Sequence, residues 1–136
     1  MTTKPPPITE KVWRCTLPAI PDWRVYSGNT RYAHPMQEHR AVKAIKQAWG
    51  ELLGLVSLPE VTFERFTLKY TFRCPNLRQV PRDWDNLMRA TKPLTDVLQE
   101  YGIIRSDSRA HMLRPPELGV EKGGPETFIE IAEILR

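Results

Sequence analysis

The chain has 136 residues, a net charge of +4 and a hydrophobic fraction of 40%, values typical of one small globular domain. No apolar run approaches the roughly 18 residues that a membrane span needs, and the N-terminus lacks the apolar core of a signal peptide. We therefore expect no membrane partner and a cytoplasmic location. Residues 1–50 hold eight Lys and Arg against three Asp and Glu, while the remainder hold twelve against thirteen. A basic half beside an acidic half fits a protein that grips a polyanion with one surface, although a solvated basic face gives the same pattern.

Residues 1–10 are polar and rich in proline, which predicts a flexible N-terminal arm ahead of one domain over residues 11–136. The segment Val12–Leu17 (VWRCTL) predicts a short strand that stops at the following proline. Only two cysteines are present, Cys15 and Cys74, and neither belongs to a Cys-x-x-Cys pair. We expect both to be reduced thiols in strands, and a nucleophilic role is the minor alternative.

The segment 18–35 holds three prolines and a Ser-Gly-Asn turn signal, which predicts a loop. Aromatic and basic side chains alternate along it, namely Trp23, Arg24, Tyr26, Arg31 and Tyr32. Such a mixture suits stacking on bases and contact with phosphates. It also suits aromatic residues that pack onto their own domain, and the sequence does not separate the two.

An amphipathic helix is predicted over 38–55, because apolar residues recur there at helical spacing. The residues expected in its buried face are Ala41, Ala44, Ile45, Ala48, Trp49, Leu52 and Leu53. Arg40, Lys43 and Lys46 lie off that face, where they can approach phosphates. Gly54 predicts the C-terminal end of the helix.

A strand is predicted over 61–72, where Phe66, Leu68, Tyr70 and Phe72 alternate with polar residues. Val61 and Phe63 have the opposite parity, which indicates a bulge near residues 64–65 or burial on both faces. A basic loop over 74–82 follows.

A second helix is predicted over 85–101, with Leu87, Leu94, Leu98 and Tyr101 towards the core. Pro93 lies inside it and, because proline has no backbone donor, should kink the helix or start a new one at Lys92. Short irregular pieces are expected over 103–116, a turn over 122–125 and a last strand over 128–135. Strands around two main helices indicate a small α+β domain.

The chemistry is concentrated in the segment 82–86, Arg-Asp-Trp-Asp-Asn. In extended backbone an Asp-x-Asp pair points both carboxylates the same way, and a divalent cation relieves their repulsion. Mg²⁺ favours carboxylate oxygens and waters and bridges readily to phosphate. On a helix, Asp85, Arg89, Lys92 and Asp96 fall within roughly 60° of one face, so cations lie beside the acids. Alone, the Asp-x-Asp pair is a weak signal that is more often a structural N-cap.

The full order of motifs is more specific. Asp-x-Asp-Asn-Leu opens a helix, Lys92 and Asp96 lie on its face, and Gly102-Ile-Ile-Arg-Ser-Asp107 follows. This order resembles the RusA family of Holliday junction resolvases, and so do the Lys122-Gly123-Gly124 turn and the residues Asn29, Arg31 and His34. The resemblance implies a mixed β-sheet packed with two main helices, in a homodimer with one active site per protomer. It also implies a Mg²⁺-dependent endonuclease, with Mn²⁺ as a substitute, that nicks opposed strands of four-way DNA junctions in a bacterial or phage-infected cell.

By this resemblance, Asp83, Asp85 and Asp107 are catalytic metal ligands and Lys92 is the catalytic cation. The shortest family members carry that lysine four positions after the second aspartate, where this chain has Arg89, so Arg89 competes for the role. Ser106 also replaces an additional aspartate of many members. The cations expected to contact DNA are Arg24, Arg31, Arg40, Lys43, Lys46, Arg78, Arg82 and Arg89.

Other residues and other functions have competing interpretations. Trp84 should point away from the aspartates, towards the core or a dimer interface rather than towards DNA bases. Only His111, four positions after Asp107, is placed to share the site, whereas His34 and His39 are expected at the surface or as caps. Two further functional hypotheses are a non-catalytic phage DNA-binding module and a metal-dependent nucleotide-sugar transferase. The transferase is disfavoured because the chain is short and has no glycine-rich phosphate loop.

Overall fold

A mixed four-stranded sheet and two helices form the α+β domain, as the sequence predicted. The computed structural model describes residues 11–23, 25–26 and 31–134, so the predicted arm over 1–10 and Arg24 lie outside the described residues. The strands are β1 (Val12–Leu17), β2 (Phe66–Cys74), β3 (Glu117–Lys122) and β4 (Glu126–Glu133), in the spatial order β1-β4-β2-β3. The helices are α1 (Pro35–Leu53) and α2 (Trp84–Glu100), with a 3₁₀ turn at Leu77–Gln79 between β2 and α2.

The alternating pattern of β2 places its apolar side chains on one buried face of the sheet. Phe66, Leu68, Tyr70 and Phe72 are at most 2% exposed. The neighbouring strand continues this face, because Ile131 lies opposite Leu68 and Ile129 lies opposite Tyr70. The other face is polar: Lys69 lies opposite Glu130, and Arg73 forms ion pairs with Glu121 and Glu126. The helices therefore pack on one face only, and the buried face of β2 is the centre of the core.

Helix α2 is the connection between two parallel strands. β2 pairs with β3 in parallel and with β4 in antiparallel fashion, and parallel neighbours need a crossover of this kind. The phenol of Tyr70 and the hydroxyl of Thr95 share a buried hydrogen bond of 2.7 Å that fixes α2 on β2. The strand over 117–122 was not predicted, because the weakly apolar sequence ELGVEK gives a half-exposed edge strand.

The two helices lie side by side and run in the same direction. Arg89 pairs with Glu38 near their starts, Lys46 pairs with Glu100 near their ends, and the Tyr101 hydroxyl donates to the Gly50 carbonyl at 3.0 Å. A Cβ atom at Gly50 would lie 2.7 Å from the Tyr101 hydroxyl, so this approach requires glycine. Tyr101 is 46% exposed and spans the helix pair, so its predicted place in the core was wrong.

Several element boundaries differ from the prediction for local reasons. Helix α1 begins at Pro35 rather than 38, because the His34 ring accepts a hydrogen bond from the Met36 N–H and caps the helix. It ends at Leu53, with the expected Gly54 as the C-cap. The expected strand over 61–72 begins at Phe66, because the chain bends at residues 64–65 and Phe63 makes only a single bridge, to Ile104.

Pro93 does not start a new helix at Lys92, which was one of its two predicted effects. The helix is continuous from Trp84 to Glu100, and Pro93 itself is buried. Proline removes one donor, and the buried neighbours Ala90 and Leu94 hold the helix against the core on both sides of it. Among the described residues, no helix has the length and apolar character to cross a membrane.

Both cysteines lie in strands as unpaired thiols, as expected. Cys15 is half-buried in β1, and Cys74 is buried at the end of β2. Burial raises the pKa of the Cys15 thiol to about 12, and it also raises the pKa of Cys74. Neither thiol is therefore ionised near neutral pH, which argues against the nucleophile alternative.

Candidate functional site

Asp83 and Asp85 flank the first residue of α2 in different backbone conformations. Asp83 is the N-cap, with extended backbone (φ −86°, ψ 132°), whereas Asp85 already lies in the first helical turn. The predicted extended Asp-x-Asp pair was therefore wrong, because the helix begins between the two residues. Both side chains are exposed, and the structure gives neither carboxylate a hydrogen bond or ion pair within the described residues. The capping alternative is contradicted for Asp83, whose side chain bonds to no helix N–H.

Lys92, two turns further along α2, lies between two carboxylates. Its Nζ is 3.0 Å from Asp96 Oδ1, one turn along the same helix, and it also bonds to Asp107 from the segment after the helix. Burial alone would lower the pKa of Lys92, but the hydrogen bonds to Asp107 and Asp96 outweigh it and the pKa is raised. The ammonium group is therefore firmly charged at neutral pH.

The turn that follows α2 brings Asp107 back to Lys92. Gly102 has a φ of 73°, and the N–H groups of Gly102 and Ile103 bond to the carbonyls of Gln99 and Leu98. This is the glycine-dependent Schellman ending, and the buried pair Ile103 and Leu98 supplies its hydrophobic contact. The Asp107 N–H then donates to the Gln99 side chain at 3.3 Å. The chain reversal therefore fixes Asp107 beside the exposed side of α2.

The structure does not gather the three predicted metal ligands into one group. Seven residues separate Asp85 from Lys92, which is about 10 Å along a helix axis. Within the part of the chain that the structure describes, no three His, Cys, Asp or Glu side chains are close enough to hold a metal ion. Mg²⁺ is commonly held by one or two carboxylates and several waters, and Asp83 and Asp85 are the exposed carboxylates at the start of α2. Asp107 is instead engaged by Lys92.

Arg89 belongs to a different cluster from Lys92. Its guanidinium bonds to Glu38 of α1 at 2.7 Å, and its Cζ lies 5.2 Å from the centre of the Tyr26 ring. Hydrogen bonds to Tyr26 and then to Glu38 raise the pKa of Arg89. Arg89 thus joins α2 to α1 and to the loop before it. This arrangement favours Lys92 over Arg89 as the cation beside Asp107.

A cavity of about 460 Å³ adjoins Lys92 and Asp107. Its wall is formed by α2 and by the segment 107–116, and it includes Arg109 and Arg114. These two arginines were missed by the sequence analysis, which treated their segment only as irregular structure. In the sequence, Arg109 and Arg114 lie on either side of the apolar residues Met112 and Leu113. This pattern could have identified the segment.

The predicted DNA-contacting cations differ in their surroundings. Arg40 and Lys43 are exposed on α1, and Arg78 and Arg82 are exposed on the loop before α2. Lys46 is less available, because it is paired with Glu100. Arg31 is exposed and has interactions of its own.

The aromatic residues of the loop 18–35 pack in part onto their own domain. Trp23 is 8% exposed and meets Phe72 edge to face at a centroid distance of 5.5 Å, so it belongs to the core. Tyr26 contacts Arg89. The alternative of internal packing is therefore confirmed for Trp23. By contrast Trp84, for which the core was one expected location, is 61% exposed, because it starts α2 on the solvent side.

The three histidines do not belong to the group of side chains around Lys92 and Asp107 that the structure describes. His111 bonds through Nδ1 to the Glu64 carbonyl at 2.7 Å, and His34 caps α1, as the surface or capping interpretation predicts. His39 lines a groove between the two helices, away from Asp107.

The sequence matches no protein-family model and no curated protein.

Replacement of Asp107 by Asn should lower the pKa of Lys92. In the folded protein the pKa of Lys92 lies above its ordinary value of about 10.4. The ion pairs of Lys92 with Asp96 and Asp107 therefore stabilise the fold fully below about pH 10.4, and this stabilisation is lost as the pH rises through the folded pKa. A ¹³C NMR titration of the lysine Cε signals measures this shift directly. The control is Glu121→Gln, which removes a partner of Arg73 on the opposite face of the sheet. An unchanged Lys92 pKa in Asp107→Asn would contradict the described pairing.

Proposed function

We propose that this protein is a Mg²⁺-dependent endonuclease that cuts four-way DNA junctions, and that it acts as a homodimer in a bacterial or phage-infected cell. The site combines Asp83 and Asp85 at the start of α2 with Lys92 further along the helix and with Asp107 from the segment that follows it. This order matches the motifs that resemble the RusA family. Recombination and repair of DNA are the processes in which such cleavage is needed.

The observation that carries the proposal is the contact between Lys92 and Asp107. Fifteen residues and a chain reversal separate the two in sequence, yet their charged groups meet on the exposed side of α2. The side chains are 52% and 30% exposed, so a phosphate can reach the ammonium group. Structural ion pairs have this geometry too, but here the start of the helix also carries two carboxylates, Asp83 and Asp85, that have no hydrogen bond or ion pair with the described residues.

Each side chain has a distinct role in the proposed reaction. Lys92 is a fixed positive charge that neutralises a phosphate oxygen, since its raised pKa opposes giving up a proton. Asp96 keeps the ammonium in place from one turn away. Asp83 and Asp85 would hold the cation, and Asp107 can join them only by giving up its bond to Lys92.

When bound, Mg²⁺ supplies a water of lowered pKa and neutralises charge that develops on the phosphate. The start of a helix is otherwise a favourable place for carboxylates, because the positive end of the dipole stabilises them. The carboxylates of Asp83 and Asp85 are exposed, so a cation can reach them.

The non-catalytic DNA-binding module is the second candidate. The bond between Asp107 and Lys92 is compatible with it, because carboxylates of a non-catalytic module would only cap and bridge. The absence of a capping bond at Asp83 argues against it. Metal-dependent cleavage of a junction separates the two functions.

Asp83→Asn, Asp85→Asn and Asp107→Asn should each abolish cleavage of a synthetic junction in Mg²⁺. Binding should survive or tighten, because negative charge facing phosphate is removed. The two measurements are a gel cleavage assay and a binding titration without metal. Glu117→Gln is the control, since it removes an exposed carboxylate from an edge strand. Near-normal cleavage by any of the three variants would remove that residue from the site.

Lys92→Ala should lose far more activity than Arg89→Ala. Only Lys92 touches Asp107, whereas Arg89 is engaged by Glu38 and Tyr26. Loss of the partly exposed Arg89 pair should cost at most about 1 kcal/mol of stability. Single-turnover cleavage rates compare the variants, with urea unfolding as the check on the fold. An inactive Arg89 variant beside an active Lys92 variant would reverse the assignment.

The proposed dimer follows from the substrate. A four-way junction has two symmetry-related strands to cut, and a twofold dimer offers two identical sites. We expect the exposed cations Arg40, Lys43, Arg78 and Arg82 to track phosphates.

Sedimentation should therefore give twice the chain mass, and junction DNA should outcompete linear duplex. Affinity should fall steeply between about 50 and 200 mM salt, because phosphate contacts release counterions. Arg40→Ala and Lys43→Ala should each reduce the salt dependence. A strict monomer that cuts linear duplex as readily as the junction would leave only a general metal-dependent nuclease.

A further inference from the structure

The cavity beside Lys92 has an apolar interior and a charged rim. The apolar side is formed by Met88, Met112 and Leu113 with the two prolines at 115–116. Its volume of about 460 Å³ lies in the range of cavities that bind small ligands. Such an interior is more than a phosphate needs, since an anion is bound by charges and N–H groups alone.

The hydroxyl groups of this cavity are already satisfied within the protein. Thr91 donates to the Met88 carbonyl at 2.7 Å, and Thr95 bonds to Tyr70 at 2.7 Å and to the Thr91 carbonyl at 3.3 Å. These hydroxyl groups therefore need no hydrogen-bond partner from a ligand in the interior. A flat, weakly polar ring fits this character, and methionine sulfur makes favourable contacts with aromatic rings.

The rim supplies the charge that such a ligand would carry outside the cavity. The charged residues that line the cavity are Lys92, Arg109, Arg114 and Asp107. Asp96 also pairs with Lys92, and the three cations still outnumber these two carboxylates. Arg109 and Arg114 are exposed, and the structure gives neither a hydrogen bond or ion pair with the described residues. A ligand that has a ring inside the cavity and phosphates at its rim has the chemistry of a nucleotide within a DNA strand.

We propose that this cavity receives one unstacked nucleobase of the strand to be cut, adjacent to the scissile phosphate at Lys92. The inference rests on the proposed endonuclease function, because Lys92 and Asp107 belong to both sites. Bases at the branch point of a junction lose stacking and pairing at lower cost than bases within a duplex. The cavity would thus select branched DNA by the base that it accepts, in addition to the shape that a dimer selects.

The test uses junctions that carry 2-aminopurine, a fluorescent base, or an abasic residue at single positions around the cut. Leu113→Glu places a charge in the cavity, and Leu113→Trp fills it without a charge. Leu113 is 41% exposed, so both variants should fold. The control is Leu58→Glu, which makes the same change at a leucine that is 40% exposed and outside the cavity.

We expect one labelled position in the junction at which binding of the wild-type protein changes the fluorescence of 2-aminopurine in metal-free buffer. At that position Leu58→Glu should cause the same change, and neither Leu113 variant should cause it. Wild type should bind the junction with that base at least about ten-fold more tightly than the abasic junction, the scale of one stacked base. This ratio should fall to about one in both Leu113 variants. A general electrostatic effect of Leu113→Glu would weaken both DNAs equally and leave the ratio unchanged.

Unchanged ratios in both Leu113 variants, or no fluorescent position that depends on Leu113, would overturn the cavity assignment even if the protein cuts junctions. Conversely, a Leu113-dependent base signal without any metal-dependent cleavage would retain the cavity as a base-binding site and remove the endonuclease function. The two proposals therefore fail by separate measurements.

Discussion

The packing of α2 on the sheet is the constraint on which the candidate site depends. Leu94 and Leu98 are fully buried, and the hydrogen bond from Tyr70 to Thr95 anchors the helix to the central strand β2. With that side of α2 committed to the core, its other side must face solvent. Lys92 lies there, and the reversal at Gly102 returns Asp107 to the same place.

The electrostatics of α2 divide it into two regions with different capacities. Its start carries two exposed carboxylates near the positive end of the helix dipole, and this is a suitable place for a hard cation. Its middle carries a lysine whose positive charge is secured by two carboxylates. Phosphodiester chemistry needs both capacities within reach of one phosphate. On the uncovered face of the sheet, by contrast, Arg14 is paired with Glu130, and Arg73 with Glu121 and Glu126.

Strong periodic patterns made much of the fold predictable. The bounds of β1 were exact, and the alternation in β2 identified its buried side chains correctly. The apolar stripe of α2 identified Leu87, Leu94 and Leu98 as buried, but Tyr101 is exposed. β3 escaped because it is a half-exposed edge strand with a glycine and three charges, and its pairing depends on β2, more than forty residues away in the sequence. The new helix predicted to start at Lys92 does not occur, because burial of the neighbours of Pro93 outweighs one lost backbone donor.

The candidate site was predictable in composition but not in arrangement. Lys92 and Asp107 were singled out as site residues, and the structure brings them together. Whether Asp85 is extended or helical depends on where α2 begins, and a shift of one residue decides it. Arg109 and Arg114 were missed because their role depends on a cavity that only the folded chain creates.

The central claim is that the side chains along α2 cut DNA junctions with the help of a divalent cation. The most direct measurement is cleavage of a synthetic four-way junction, labelled on each strand in turn, in Mg²⁺ and in EDTA. The account predicts nicks at symmetry-related positions on two opposed strands in Mg²⁺, and none in EDTA. An intact junction in Mg²⁺ and in Mn²⁺, bound by a protein whose folding is verified, would contradict it.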